Sequence, residues 1–274
     1  MLIDFHTHIF PDAIAARTLE ILVNGIRRQQ GDAFVAGRTM HHTDGTLQGL
    51  LDSMEDNHVD MSICLPIVTK MTQTESINRF AYGIRNQVTQ SFGSLHPLQP
   101  DWEQVLEQLA EKGFRGIKLH HQFQLCDIDS KESIRVLKKA GALGLLVIFH
   151  AGADIGLPPP VYATPEKIRN VLTEMDGSHL IAAHLGGWRM WDDVERYLLG
   201  TSIYLDTAYI REYIDPVQCK RIIDAHGADR VLFGSDSPWE NPSETLAFLQ
   251  SLALTQEQMD AITHRNAQRL LGLE

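Results

Sequence analysis

Residues 114–150 read FRGIKLHHQFQLCDIDSKESIRVLKKAGALGLLVIFH. A short aliphatic run (FRGIKLH, 114–120) is followed by an amphipathic stretch that starts after Ser130 and stops at a glycine, and then by a second apolar run (LGLLVIFH, 143–150). Strand, helix, strand in that order implies parallel pairing through a right-handed crossover. The same alternation recurs on both sides: LIDFH (2–6), DMSICLPIV (60–68), SFGSLHP (91–97), HLIAAHL (179–185), SIYLDTA (202–208) and RVLFGSD (230–236) complete eight candidate strands. Asp101 before WEQVLEQLAEKG, and Thr164 with Pro165 before EKIRNVLTEMDG, mark further helix starts, and these stretches also end at glycine. Eight such units close most naturally into a (β/α)8 TIM barrel. A doubly wound open sheet would bring a glycine-rich phosphate loop after its first strand, and HTHIFPDA (6–13) is not one.

Two departures from a bare barrel are expected, making it a distorted one. Residues 10–43 precede the first strong barrel helix, TLQGLLDSMEDNHV (46–59), so the loop after strand one is long, with a short helix near AIAARTLEILVNGI (13–26) placed to form a lid. After strand eight, Asn241-Pro242-Ser243-Glu244 reads as a capping box and Thr255 to Gln258 starts a last helix, giving extra C-terminal helices.

The 274 residues are 43% hydrophobic and 22% charged, with no linker or low-complexity run, so a single domain over 1–274 is expected. Lys+Arg 24 against Asp+Glu 35 gives a net charge of −11, which disfavours nucleic acid as a partner. No basic and apolar leader opens the sequence and no run of about 18 apolar residues occurs, so neither export nor a membrane span is expected. Cys64, Cys126 and Cys219 are odd in number and widely spaced, which fits reduced thiols in a cytoplasm.

Chemistry in a barrel gathers at the carboxyl ends of the strands, and those ends are unusually consistent here. His6 and His8 end strand one, on one face by strand alternation. Lys118 and His120 end strand four, again sharing a face, with His150, His184 and Asp236 ending strands five, six and eight. Any one buried histidine is readily explained by packing; ligand-type residues ending five strands are not. Neutral imidazoles and a carboxylate suit Zn²⁺ or a similar divalent ion, with one position left for water that ionises near neutral pH. A carboxylate at the edge of such a site can accept the water's proton, and a nearby histidine can polarise a substrate carbonyl.

DFHTHIF, GIKLHHQFQ, VIFHAG, AAHLGG and LFGSDSPW together resemble the amidohydrolase superfamily, in the amidohydrolase-related branch that holds both hydrolases and non-oxidative decarboxylases. The resemblance implies one divalent metal, commonly zinc, held by His6, His8, His150 and Asp236, with His184 as the catalytic histidine beside it and Asp236 in a double role as ligand and proton acceptor. It leaves Lys118 open. Carboxylated, Lys118 would bridge a second metal; as a cation it would bind a substrate carboxylate with His120 beside it, the preferred reading; and pairing with a strand-end acid is the remaining one. Arg189 is a further candidate for an anionic substrate, Asp206 for orienting His184 or capping its loop, and His96 for the pocket wall.

The function expected is hydrolysis of an amide, ester or lactone carbonyl of a small molecule, an anionic one if Lys118 binds it. Decarboxylation of an aromatic or enol carboxylic acid on the same ligands is the alternative; the compact chain tilts against it, because the resemblance associates decarboxylases with longer chains. An inactive metal-binding barrel is a third reading, which would usually have lost Asp236 or His184. A homodimer is an expectation of the family alone.

Overall fold

A computed structural model describes residues 1–273. Its strands are β1 (Ile3–Thr7), β2 (Met61–Cys64), β3 (Thr89–Ser91), β4 (Gly93–Ser94), β5 (Gly116–Leu119), β6 (Leu146–Phe149), β7 (Leu180–Ala182), β8 (Tyr204–Asp206) and β9 (Val231–Leu232). Every pairing is parallel, in the order β1-β2-β3 and β4 through β9. Only Phe92 separates β3 from β4, and its amide continues the pairing with β2 by donating to Cys64 O at 3.0 Å. The two segments therefore form one barrel strand. The ring closes where Phe5 N donates to Phe233 O and Asp236 N to His6 O, each at 2.8 Å, with a parallel bridge between Thr7 and Ser237. Eight strand positions with a helix after each make the TIM barrel that the alternation predicts.

Alternation sorts the core into two layers. Ile117, Leu119, Val147, Phe149, Leu180, Leu205 and Phe233 face the surrounding helices, whereas Ile3, Phe5, Ile63, Phe92, Ile148, Ile181 and Leu232 pack inside the barrel. Burying such side chains contributes roughly 1.5–3 kcal/mol each. Lys118 therefore points inward, as expected. Strand β1 breaks the rule: Asp4 pairs with Ser62 but Thr7 pairs with Cys64, one residue too many on β1. This bulge turns both Phe5 and His6 inward.

Helices start where the side chains can cap them. Ser130 accepts from Ser133 N and Thr164 from Lys167 N, as predicted. Asp101 makes no cap bond, its carboxylate accepting from Gln99 Nε2 instead. Gly141 lies within the helix Lys131–Ala142, and the glycine that follows its end is Gly144, at φ +70°. Asn241 caps through Ser243 N without a full box, since Glu244 reaches Arg211; Thr255 and Gln258 do form one. The insertion after β1 holds a longer helix than expected, Asp12–Gln30, anchored where Gln30 Nε2 donates to Ile155 O at 3.0 Å. No helix among the described residues is long and apolar enough to cross a membrane.

Candidate active site

The bulge in β1 brings its two histidines to the same point. His6 Nε2 and His8 Nε2 lie 3.1 Å apart, and Asp236 Oδ1 lies 3.3 Å from the first and 3.2 Å from the second. The far nitrogens fix the tautomers: His6 Nδ1 donates to Asp206 Oδ2 at 2.7 Å and His8 Nδ1 to Leu65 O at 2.8 Å. Both Nε2 atoms then present lone pairs to one another and to a carboxylate. Lys118 Nζ, 3.1 Å from His6 Nε2, can meet only one of these acceptors, and the convergence of His8 Nε2 and Asp236 Oδ1 on the same point fits a divalent metal. Asp4, buried beneath, accepts from His6 N at 3.1 Å, Ser235 N at 3.0 Å and Ser235 Oγ at 2.5 Å, tying the bulge to the strand end that carries Asp236.

Burial sets the protonation states. It pushes the His6 imidazole well below its usual range, with Lys118 adding to the effect, and so keeps the ring neutral as a ligand must be. Burial alone would raise Asp236, but the surroundings formed by His6, His8 and Lys118 outweigh it, with the lysine as the cation among them, and hold the carboxyl below its ordinary value. Lys118 is 1% exposed, with Nζ 3.1 Å from His6 Nε2. Burial lowers its pKa to about 8 against the pull of Asp206 and Asp236, which leaves it largely cationic at neutral pH.

A second group stands beside the first. His120 Nε2 donates to Asp154 Oδ2 at 3.2 Å, and the His120 and His150 rings stack at 4.3 Å. His150 Nε2 donates to Ala153 O at 2.9 Å and His184 Nδ1 to Ala208 O at 2.9 Å. The remaining His150 Nδ1 and His184 Nε2 face each other at 3.0 Å, lone pair to lone pair. Burial lowers His184 to about 4. His150 thus sits with His120, Asp154 and His184 and not among His6, His8 and Asp236, although it lines the same cavity.

Arg189 and His96 lie elsewhere than expected. Arg189 is exposed and lies outside the cavity, its guanidinium held over the Trp188 and Tyr213 rings at 4.5 and 5.1 Å. Asp206 bonds the His6 ring, and its other oxygen accepts from the amides of His184 at 2.8 Å and Ala208 at 3.0 Å, so that of its two expected roles it takes the capping one and does not touch the His184 ring. His96 is buried but does not line the cavity; its Nδ1 accepts from Leu98 N. Asp154 escaped notice because a loop acid four residues past His150 carries no periodic signal.

His184 and Asp236 both adopt left-handed backbone, at φ +58° and +66°. Non-glycine residues there cost of order 1 kcal/mol or more, an expense typical of functional sites. The cavity above them measures about 670 Å³. Its floor carries His6, His8, Lys118, His120, His150, Asp154, His184 and Asp236, and its walls are mainly aliphatic and aromatic.

A closed parallel barrel with a histidine and carboxylate cluster at its strand ends defines a TIM-barrel protein whose site residues fit a metal ion. The sequence profile of the family described as Amidohydrolase matches residues 3–273, and the chain belongs to that family. No curated protein matches it. Solved structures share the fold at low identity. A TIM-barrel protein from Bordetella bronchiseptica aligns at TM-score 0.75 and 17% identity, over 99% of this chain and 98% of that one. The 5-carboxyvanillate decarboxylase of Novosphingobium aromaticivorans, complexed with manganese and 4-hydroxy-3-methoxy-5-nitrobenzoic acid, aligns at 0.74 and 13%, over 99% and 96%. The 2,6-dihydroxybenzoate decarboxylase from Rhizobium aligns at 0.65 and 15%, over 99% and 98%.

Proposed function

We propose that the cavity is the active site of a metal-dependent decarboxylase of small aromatic or enolic carboxylic acids. The observation that carries the reading is how the cavity is divided. Its charged and imidazole side chains gather at the floor, Arg28 alone standing at the rim, while Phe10, Ile67, Phe80, Phe123, Trp188 and Trp239 contribute the walls. Such a site takes a flat apolar body with its anionic end down.

His6, His8 and Asp236 would hold the ion, Zn²⁺ in first place and Mn²⁺ in second, with His150 near enough to the floor to be the fourth candidate. When bound, the ion supplies Lewis-acid charge that favours the ionised form of a substrate oxygen. Lys118, inward-facing and cationic, binds the substrate carboxylate, with His120 beside it. Asp236, ionised at neutral pH, accepts the hydroxyl proton of the entering phenol or enol and returns it to the carbon that loses carbon dioxide. The products are carbon dioxide and a phenolate, so the proton balance closes within the site. Neutral His184 contributes a hydrogen-bond acceptor, and the apolar walls keep water from competing for the proton.

Hydrolysis is the second reading, favoured by the same ionised Asp236, which suits a proton acceptor for water. Decarboxylation is supported by the likeness of the fold to decarboxylases, the Rhizobium enzyme aligning over 98% of its chain. The two readings part in labelled solvent. Across a panel of hydroxybenzoates, lactones and N-acyl amino acids, decarboxylation predicts carbon dioxide released in step with turnover and one solvent deuterium on the product carbon. Solvent oxygen entering a product carboxylate, with no carbon dioxide, would replace it with hydrolysis.

A further inference from the structure

The helix Asp12–Gln30 has two apolar faces, and its packing uses only one. Ala15, Leu19 and Ile26 are buried, with Leu19 and Phe10 closing over Gly45. Gly25 lets the helix approach the loop after β6: a Cβ there would stand 3.3 Å from Gly156 O. Ile14, Thr18, Ile21 and Leu22 form the other face, and all four line the cavity that has His6 and Asp236 at its floor. Ile14 remains 49% exposed and Ile21 56%. Ser76, Ile77 and Phe80, on the helix Thr74–Gly83, line the same cavity. A single ring does not fill about 670 Å³.

We infer that this upper part of the cavity is a subsite for an apolar extension of the substrate, such as an alkyl or aryl tail borne by the ring. The occupant is a substrate tail because the trough opens directly into the proposed catalytic floor and shares its space. The tail covers Ile14 and Ile21 on one side and Ile77 and Phe80 on the other. The inference rests on the reading of the cavity floor as a substrate site. It deepens that reading by naming the class: acids with an apolar substituent in preference to bare hydroxybenzoates.

The test is calorimetric titration of the metal-loaded protein with 2-hydroxybenzoate and its 4- and 5-methyl, propyl and hexyl derivatives. In one of the two series Kd should fall by up to about fourfold for each methylene buried. Ile14→Asp and Ile21→Asp, at exposed positions where folding tolerates a charge, should cut that slope to below twofold. Val217→Asp, at a 70% exposed position outside the cavity, should retain it. Affinity independent of chain length in both series, or a slope unchanged in both isoleucine variants, would overturn the inference. A second copy of the chain covering Ile14 and Ile21 would give the flat result. Binding needs no turnover, so the two proposals fail separately. A steep slope without carbon dioxide keeps the subsite and removes decarboxylation; carbon dioxide with a flat slope does the reverse.

Discussion

Which nitrogen of His6 carries the proton decides whether the ring can hold a metal, and Asp206 decides that. In Asp206→Asn the amide oxygen can stay with the backbone amides of His184 and Ala208, which places the NH₂ against His6 Nδ1. The imidazole must then protonate at Nε2, toward its ligand position. Metal affinity should fall 10- to 100-fold, measured by chelator competition. An unchanged affinity would mean that Asp206 does not set the tautomer. His121 makes a different prediction. Its ring is fully buried with neither nitrogen hydrogen-bonded among the described residues, and burial lowers its pKa to about 3. The unfolded chain takes up this proton near pH 6.5 and the folded chain only near 3, so stability is lost as pH falls through that window, by up to about 1.4 kcal/mol per pH unit. His121→Phe should make the acid limb of the stability profile shallower by the share of this one ring among the buried histidines, read from urea midpoints between pH 7 and 4.5. A limb as steep as that of the wild type would contradict the assignment. The sequence makes His6 and His8 legible as a pair, but neither the tautomer nor the isolation of His121 shows in it, because both depend on partners far along the chain.

At the level of elements, helix caps separate what is local from what is not. Ser130 and Thr164 could be read from the sequence because a cap involves only the next three residues. Asp101 carries the same signal and fails, because Gln99 claims its carboxylate. Thr164→Ala should therefore cost about 1 kcal/mol and Asp101→Ala less than about 0.5 kcal/mol in urea unfolding. Equal costs would show that the cap bonds do not control these helix starts. Strand faces divide in the same way. Alternation places Lys118 correctly, since β5 runs without interruption, but it cannot foresee that Phe5 and His6 both turn inward. The bulge is held by Asp4 and Ser235, 231 residues apart, and so only the closed barrel reveals it.

Over the whole molecule, barrel closure joins β1 to the last barrel strand and so sets His6 and His8 against Asp236. The eight strand ends could be read from the sequence, and with them most of the floor. Its division into two groups could not, since that follows from the loop holding Ala153 and Asp154, which draws His150 and His120 together. Metal binding depends on the first group, His6, His8 and Asp236. Elemental analysis of the purified protein, paired with His6→Ala, tests it most directly. One equivalent of Zn²⁺ or Mn²⁺ per chain, lost in the variant while the fold persists by circular dichroism, is the predicted result. No divalent metal retained or bound on titration would contradict it, as would two equivalents with a carbamate on Lys118.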